Sequence, residues 1–526
     1  MESNIIYTLD KYNEVLTKED LLHLLRRCLF GVGVKDLIVF ENKTLDECLS
    51  ILLNPKIDIP VPIQEDSDIL DPLIPEGKTW VNAPYENDLI DNRRGLMLKM
   101  WWIGQLINRD HSLAEKMTLF WHNHFVTEMD IVKDSRYSYR YIHLLQTNAL
   151  GNFKKLVRLG VENVAMLVYL NGNTNEKGNP NENFARELME LFTLGKDINS
   201  KYTEDDVRSA ARVLSGWKDN KEKIEATFNP LLHDNQDKQF SSFFDNSVIK
   251  GRKGMDGAKE IDELIDIIFQ KEETARFVCR NVYRWFVCAN INEKTEQYII
   301  QPLAKIFIAN HFEIIPVLNS LLSSKHFFDI AFRACIVKNP VDFLIGAVRQ
   351  FDLAYTGNLK ENHIPWLQFY FYLGDLSMDI GNPPSVAGWM AYYQSPKFHR
   401  WWINSSSLGL RMKLLKGLCS EEGLIFNGPK IKFNFLHFIA QLDNPTDINE
   451  LIKQSTQLLI PFTLNESVIH NLRLILLPEQ EDELSWTEKW NTLSSNPDDI
   501  KNKEIVETRL RLFFQQLLAL PEYPLT

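Results

Sequence analysis

The residues whose types and spacing suit chemistry fall in three places. Trp121-His122-Asn123-His124-Phe125 holds two histidines two positions apart. Glu182, Arg186 and Glu190 recur at i, i+4 and i+8, so they share one helix face. Glu187 stands three residues before Glu190, which lets two carboxylates converge. His233-Asp234 offers one base beside one acid or ligand. One or two histidines with carboxylates form the ligand set of a non-haem iron, manganese or zinc site. A divalent metal ion held by His122, Glu187 and Glu190 is therefore the first expectation. His122, His124, Glu187, His233 and Asp234 are the candidate catalytic groups. Each set also has a structural reading. The histidines can be core residues bonded to backbone, the Glu/Arg face an ion ladder, and His233-Asp234 a turn pair.

Helix geometry limits the metal reading. On a helix, positions two apart point about 200° away from each other, so His122 and His124 cannot both reach one ion unless the helix ends between them. The letters H-N-H do not make the nuclease of that name, because the ββα unit on which that motif is spread is missing.

The elements that must position these groups read mainly as helices. A run of turn formers from Asn171 to Asn183, with Asn181 at its end, precedes a helix from about Glu182 to Leu194. Asparagine side chains donate and accept, so they can tie down backbone or bind a polar ligand. Phe184, Leu188, Leu191 and Phe192 give that helix its apolar stripe, and Gly195 reads as its stop. Apolar residues surround Arg186 on nearly all sides, which predicts a buried Glu182/Arg186/Glu190 trio. Thr203-Glu204-Asp205-Asp206 opens the next helix as a capping box with Asp in place of the usual Glu. Arg276, Arg280 and Arg284 form a basic stripe that could pair with the Glu182/Glu190 face. A second special loop, Gly381 to Trp389, is stiffened by Pro383 and Pro384, and Gly388 permits an unusual dihedral. Trp389 offers a flat face for binding. Tyr392, Tyr393, Trp401 and Trp402 read either as a sugar-stacking platform or as a core cluster.

These motifs carry a resemblance. NPNENFARELMELFTLG followed by YTEDDVRSAARVLSGW is similar to the bacterial domain-of-unknown-function family 1800. So are HLLRRCLFG at 23–31, LFWHNHFVT at 119–127, HD at 233–234, NPPSVAGW at 382–389 and WWINSSSL at 401–408, in the family's order from about residue 18 to 412. The resemblance supplies motif positions without a mechanism. It adds Asn404, in the last motif, to the candidate binding residues Asn181, Glu182, Arg186, Glu190 and Trp389. It also implies a partner, since members tend to neighbour a second family that looks like the sulfatase/alkaline-phosphatase superfamily. Met390 to Trp401 departs from the pattern, being longer and more aromatic than the short Gly-rich link usual there.

Composition sets the frame. The chain has 526 residues, 44% of them hydrophobic and 24% charged, as in an ordinary globular protein. A net charge of −12 argues against nucleic acid. Six scattered cysteines without a CxxC read as free thiols in a reducing compartment. No signal peptide and no membrane span is read, so a cytoplasmic location is expected, with export alongside a partner left open. Strand signals are rare. The expected fold is mainly α: a multi-helix body over 1–420, with an extended loop at 55–84 and an irregular lid-like insertion at 218–257, and a C-terminal helical extension over 421–526 packed on it. Two function classes stand side by side, a metal-assisted enzyme and a non-catalytic partner of a sulfatase-like protein.

Overall fold

Capping chemistry fixes where the helices begin. Thr17 accepts from the Asp20 N–H while Asp20 answers to the Thr17 N–H, and the helix Lys18–Cys28 follows. Thr203 and Asp206 close the same box at the start of Glu204–Val213, so aspartate serves where glutamate is usual. Asn163 separates two short helices: its side chain caps Val164–Tyr169 after Phe153–Val161 has ended. The computed structural model describes residues 5–55, 58–64, 71–108, 111–196, 199–353, 359–424 and 430–526.

The architecture is mainly α, as the periodicity predicts. Asp88–Asn108 packs against Leu359–Asp375 and Ser135–Thr147, and Ala114–His124 runs beside Ser135–Thr147. Trp102 and Trp121 project from these helices into one continuous core. Among the described residues, sheet is confined to two antiparallel ribbons. Trp217–Asn220 pairs with Glu225–Phe228, Trp217 lying opposite Phe228, and Lys238–Gln239 pairs with Val248–Ile249. Both lie in the insertion read as irregular. The described part of the 55–84 segment has no helix or strand, but it is anchored: Trp80 is buried, and buried Asp71 takes the Nε of Arg94 at 2.7 Å.

The C-terminal helices share this core. Phe351 meets Phe433, Phe438 and Phe514 with ring centroids 4.3 to 5.4 Å apart. Tyr523 Oη donates to Gln350 at 3.0 Å, and Arg26 donates to the carbonyls that end the helix Ile448–Leu459. Among the described residues, no helix is long and apolar enough to cross a membrane. All six cysteines are free thiols.

Candidate functional site

The helix Ala114–His124 carries His122 and His124 to opposite sides, and each side makes a different junction. His122 is buried. Its Nε2 accepts the Gly381 N–H at 3.3 Å, and its Nδ1 lies 3.2 Å from Tyr141 Oη. The Tyr141 hydroxyl gives its proton to the Phe125 carbonyl, so the imidazole proton sits on Nδ1 and points to Tyr141. Both ring nitrogens are used. The next residue, Asn123, accepts the Trp389 N–H at 3.0 Å. Gly388 makes that approach possible: its φ is +85°, and a β-carbon there would lie 2.4 Å from Asn123 Oδ1. Trp389 is buried with its ring edge-on to His122. The loop expected to present a flat face thus locks onto the helix.

On the other side, His124 Nε2 donates to the Phe192 carbonyl at 2.9 Å, inside a cage that includes Phe120, Phe125 and Phe153. That carbonyl belongs to an altered helix. Asn183–Glu187 is α-helical, and Leu188–Thr193 continues as a π-helical turn, with Thr193 Oγ1 bonded to the Leu188 carbonyl. Burial holds the His122 imidazole down to about 3 and that of His124 to about 4, so both are neutral.

The Asn-rich turn ties itself down. Asn175 donates to the Ala211 carbonyl and accepts from the Asn181 N–H. The Asn181 side chain accepts the Asn183 N–H and donates to Thr174 Oγ1. Asn404 is a helix cap, accepting the N–H groups of Ser406 and Ser407 at 2.9 Å. The side-chain oxygens of these two residues, proposed as binding groups, are taken by backbone N–H groups.

His233 and Asp234 do not act as a dyad. His233 Nδ1 donates to the Ser215 carbonyl at 2.9 Å, and its Nε2 lies 3.2 Å from Glu260 Oε1, close but poorly aligned for a hydrogen bond. Asp234 turns away to Arg212, which holds it at 2.6 and 3.2 Å. Lys238 completes the cluster, fully buried, with Nζ 2.5 Å from Glu260 Oε2 and bonded to the Asp234 carbonyl. Burial works to raise the Glu260 carboxyl, but His233, Lys238 and the Arg252 N–H together hold it below its usual range. Ser215, His233 and Glu260 have the residue types of a hydrolase triad. Ser215 is buried, however, and its hydroxyl donates to the Arg212 carbonyl and accepts the Asp234 N–H. Its proton is given to the Arg212 carbonyl, and the cluster ties the 218–257 insertion to Arg212 and Glu260 on the flanking helices. Ser215, Lys238 and Glu260 escape sequence reasoning because each is ordinary in its own local context.

The Glu182/Arg186/Glu190 trio is half-exposed, which corrects the expectation of burial. The Arg186 side chain is 30% exposed, and its main partner is Glu204, which takes Nη1 at 2.9 Å and Nη2 at 2.7 Å. Glu182 lies at 3.2 Å and Glu190 at 3.7 Å. Arg208 extends the network from Glu182 to Asp205, and Lys196 pairs with Glu190. The helix Glu204–Val213 lies alongside, so its first turn faces this side where an apolar residue was expected to seal it. The basic stripe does not reach this face. Arg276 pairs with Glu272, and Arg280 pairs with Glu273 and Glu296. Glu187 makes no hydrogen bond among the described residues. Half-burial first, then the neighbouring Glu190 charge, raises its carboxyl above the usual range.

These donors do not make a metal centre. The metal set His122, Glu187 and Glu190 fails on its own chemistry: both nitrogens of His122 are occupied, and Glu190 is taken by Lys196 and Arg186. Among the described residues, no group of three or more His, Cys, Asp or Glu converges as ligands would. The aromatic platform is absent too. Tyr392 stacks on Trp285 at 4.4 Å and Lys397 covers the Trp401 ring, while Tyr393 stands exposed.

The molecule is therefore a helical scaffold in which three polar motif pairs bind one another. The family model described as "Protein of unknown function (DUF1800)" matches residues 23–525, and the chain belongs to that family. The match runs past residue 420 and covers the C-terminal helices as well. No curated protein and no solved structure matches the chain.

Proposed function

We propose that this protein is a non-catalytic binding protein whose contact surface is the charged face of the Glu182–Thr193 and Glu204–Arg208 segments. One observation carries the reading. The histidines and the Asp234 carboxylate are spent on internal bonds, while the alternating charges of Glu182, Arg186, Glu204, Asp205 and Arg208 reach solvent. Mixed charges of this kind give specificity and orientation to a complementary protein more than raw affinity. The partner class is the one the family resemblance implies, a protein of the sulfatase/alkaline-phosphatase type.

Glu187 supports a second reading. A half-buried carboxyl with a raised proton affinity and no hydrogen-bond partner has the properties of a general acid or base. Two variants separate the readings. Titration of the full chain with a sulfatase-like protein encoded beside its gene should give a complex. Reversing both arginines (Arg186→Glu with Arg208→Glu) should weaken it at least about tenfold through charge mismatch. Glu187→Gln should leave it intact and raise the melting temperature, because it removes a carboxylate that the fold disfavours. No complex with the wild-type chain, or equal affinity after charge reversal, sinks the binding reading.

A further inference from the structure

A second set of polar groups lies far from these motifs in sequence and converges at the centre of the molecule. The end of Lys18–Cys28 brings Arg26 and Arg27, Ala114–His124 brings Lys116, and Glu272–Phe286 brings Arg284. Tyr392 and His399 come from the 390–401 segment, the stretch that departs from the family pattern. Together they line a cavity of about 30 Å³, room for roughly two water-sized groups.

The charged side chains of the described lining are mostly cationic. Asp342 is the one carboxylate side chain among them, beside the main chain of Thr526, and it is spoken for: Oδ1 takes Lys116 at 2.6 Å and Oδ2 takes Asn339 at 2.8 Å. Arg26 is turned to the carbonyls of Gln457 and Ile460. Arg27 is different. Its side chain is 2% exposed, and Nη2 bonds to the Phe332 carbonyl and to Cys335 Sγ, but Nε and Nη1 have no partner among the described residues. Two buried donors of a charged group left unmade are costly. His399 also lines the cavity. Its Nδ1 accepts the Val337 N–H at 3.1 Å, so the ring proton is on Nε2. The surroundings register the surplus of positive charge. Lys338, next to this shell, is held down to about 7, by burial first and then by the Arg26, Arg411 and Lys116 charges.

We propose that this cavity receives the oxygens of a small oxyanion, a carboxylate or a phosphate, at Arg27 Nε and Nη1 and at His399 Nε2. An anion supplies the acceptors that Arg27 Nε and Nη1 lack among the described residues. Ala391, Tyr392, Phe398 and His399 of the 390–401 segment line the cavity. The proposal stands apart from the partner-binding reading and can fail without it.

The test is a melting series of the full chain in sodium acetate and in sodium phosphate, each against sodium chloride at equal ionic strength. At least one of the two should raise the melting temperature saturably, as a ligand of the folded state does; acetate alone marks a carboxylate site, phosphate alone a phosphate site. Arg27→Gln should move half-saturation at least about tenfold, the weight of a charged hydrogen bond. Should that variant not fold, His399→Phe removes the third donor and should show the same direction of change. No saturable rise over chloride in either series, or unchanged half-saturation in the variants, overturns the site.

Discussion

His122 and His124 show how a buried polar residue can join distant parts of a chain. Each is neutral, buried and bonded to main chain or to a tyrosine, and each joins a different family motif: His122 the 381–389 loop, His124 the π-helical turn. Protonation would remove the His122 Nε2 acceptor from the Gly381 N–H, and on either ring it would place a charge in a buried site. The folded imidazoles titrate at about 3 and about 4, below the ordinary value of 6.5. Between about pH 4 and 6.5 the unfolded chain therefore binds more protons than the folded one. Stability falls as pH falls through that window, by on the order of 1.4 kcal/mol per pH unit for each histidine. Urea unfolding at pH 7 and pH 5 should show the loss, and His124→Gln should flatten the slope by one histidine's share. An identical slope in that variant would mean His124 already titrates normally in the fold. At this scale the sequence is only half legible. The 200° divergence of the two side chains follows from helix geometry, and it does preclude a shared ion. Which carbonyl or amide each would meet depends on residues 68 and 259 positions away.

At the scale of elements, the 218–257 insertion is the part the sequence describes least. Its strands are two to four residues long, too short for alternation to register. What holds it is the buried Lys238–Glu260 pair with His233 against them. Breaking a buried pair strands the other charge, so Lys238→Met should cost about 3–5 kcal/mol. Lys238→Met combined with Glu260→Leu should cost less than either change alone, since no lone charge remains. Urea unfolding measures both, and limited proteolysis should open first within 218–257 in the single variants. A single-variant cost under about 1 kcal/mol would show that the pair is solvated. The capped helices, by contrast, are readable because Thr17, Thr203 and their aspartates act within one turn. The exposure of Arg186 is not readable for the opposite reason: Glu204 is on another helix, and only packing brings it alongside.

At the scale of the whole molecule, chemistry-bearing motifs far apart in the chain turn out to be each other's partners. Trp121–His124 clasps both the Gly381–Trp389 loop and the turn at Phe192, and the C-terminal helices close over Phe351. One prediction covers these junctions together: the histidine-bearing motifs act as scaffold and hold no ion. It is tested most directly by melting the purified full chain alone, with chelator, and with added Zn²⁺, Mn²⁺ or Fe²⁺. The account predicts one melting temperature throughout, and a loss on His122→Ala that is the same with and without metal. A rise of several degrees on adding one of these ions, removed by chelator and absent in both His122→Ala and Glu187→Ala, would be a native-state ligand at work and would contradict it.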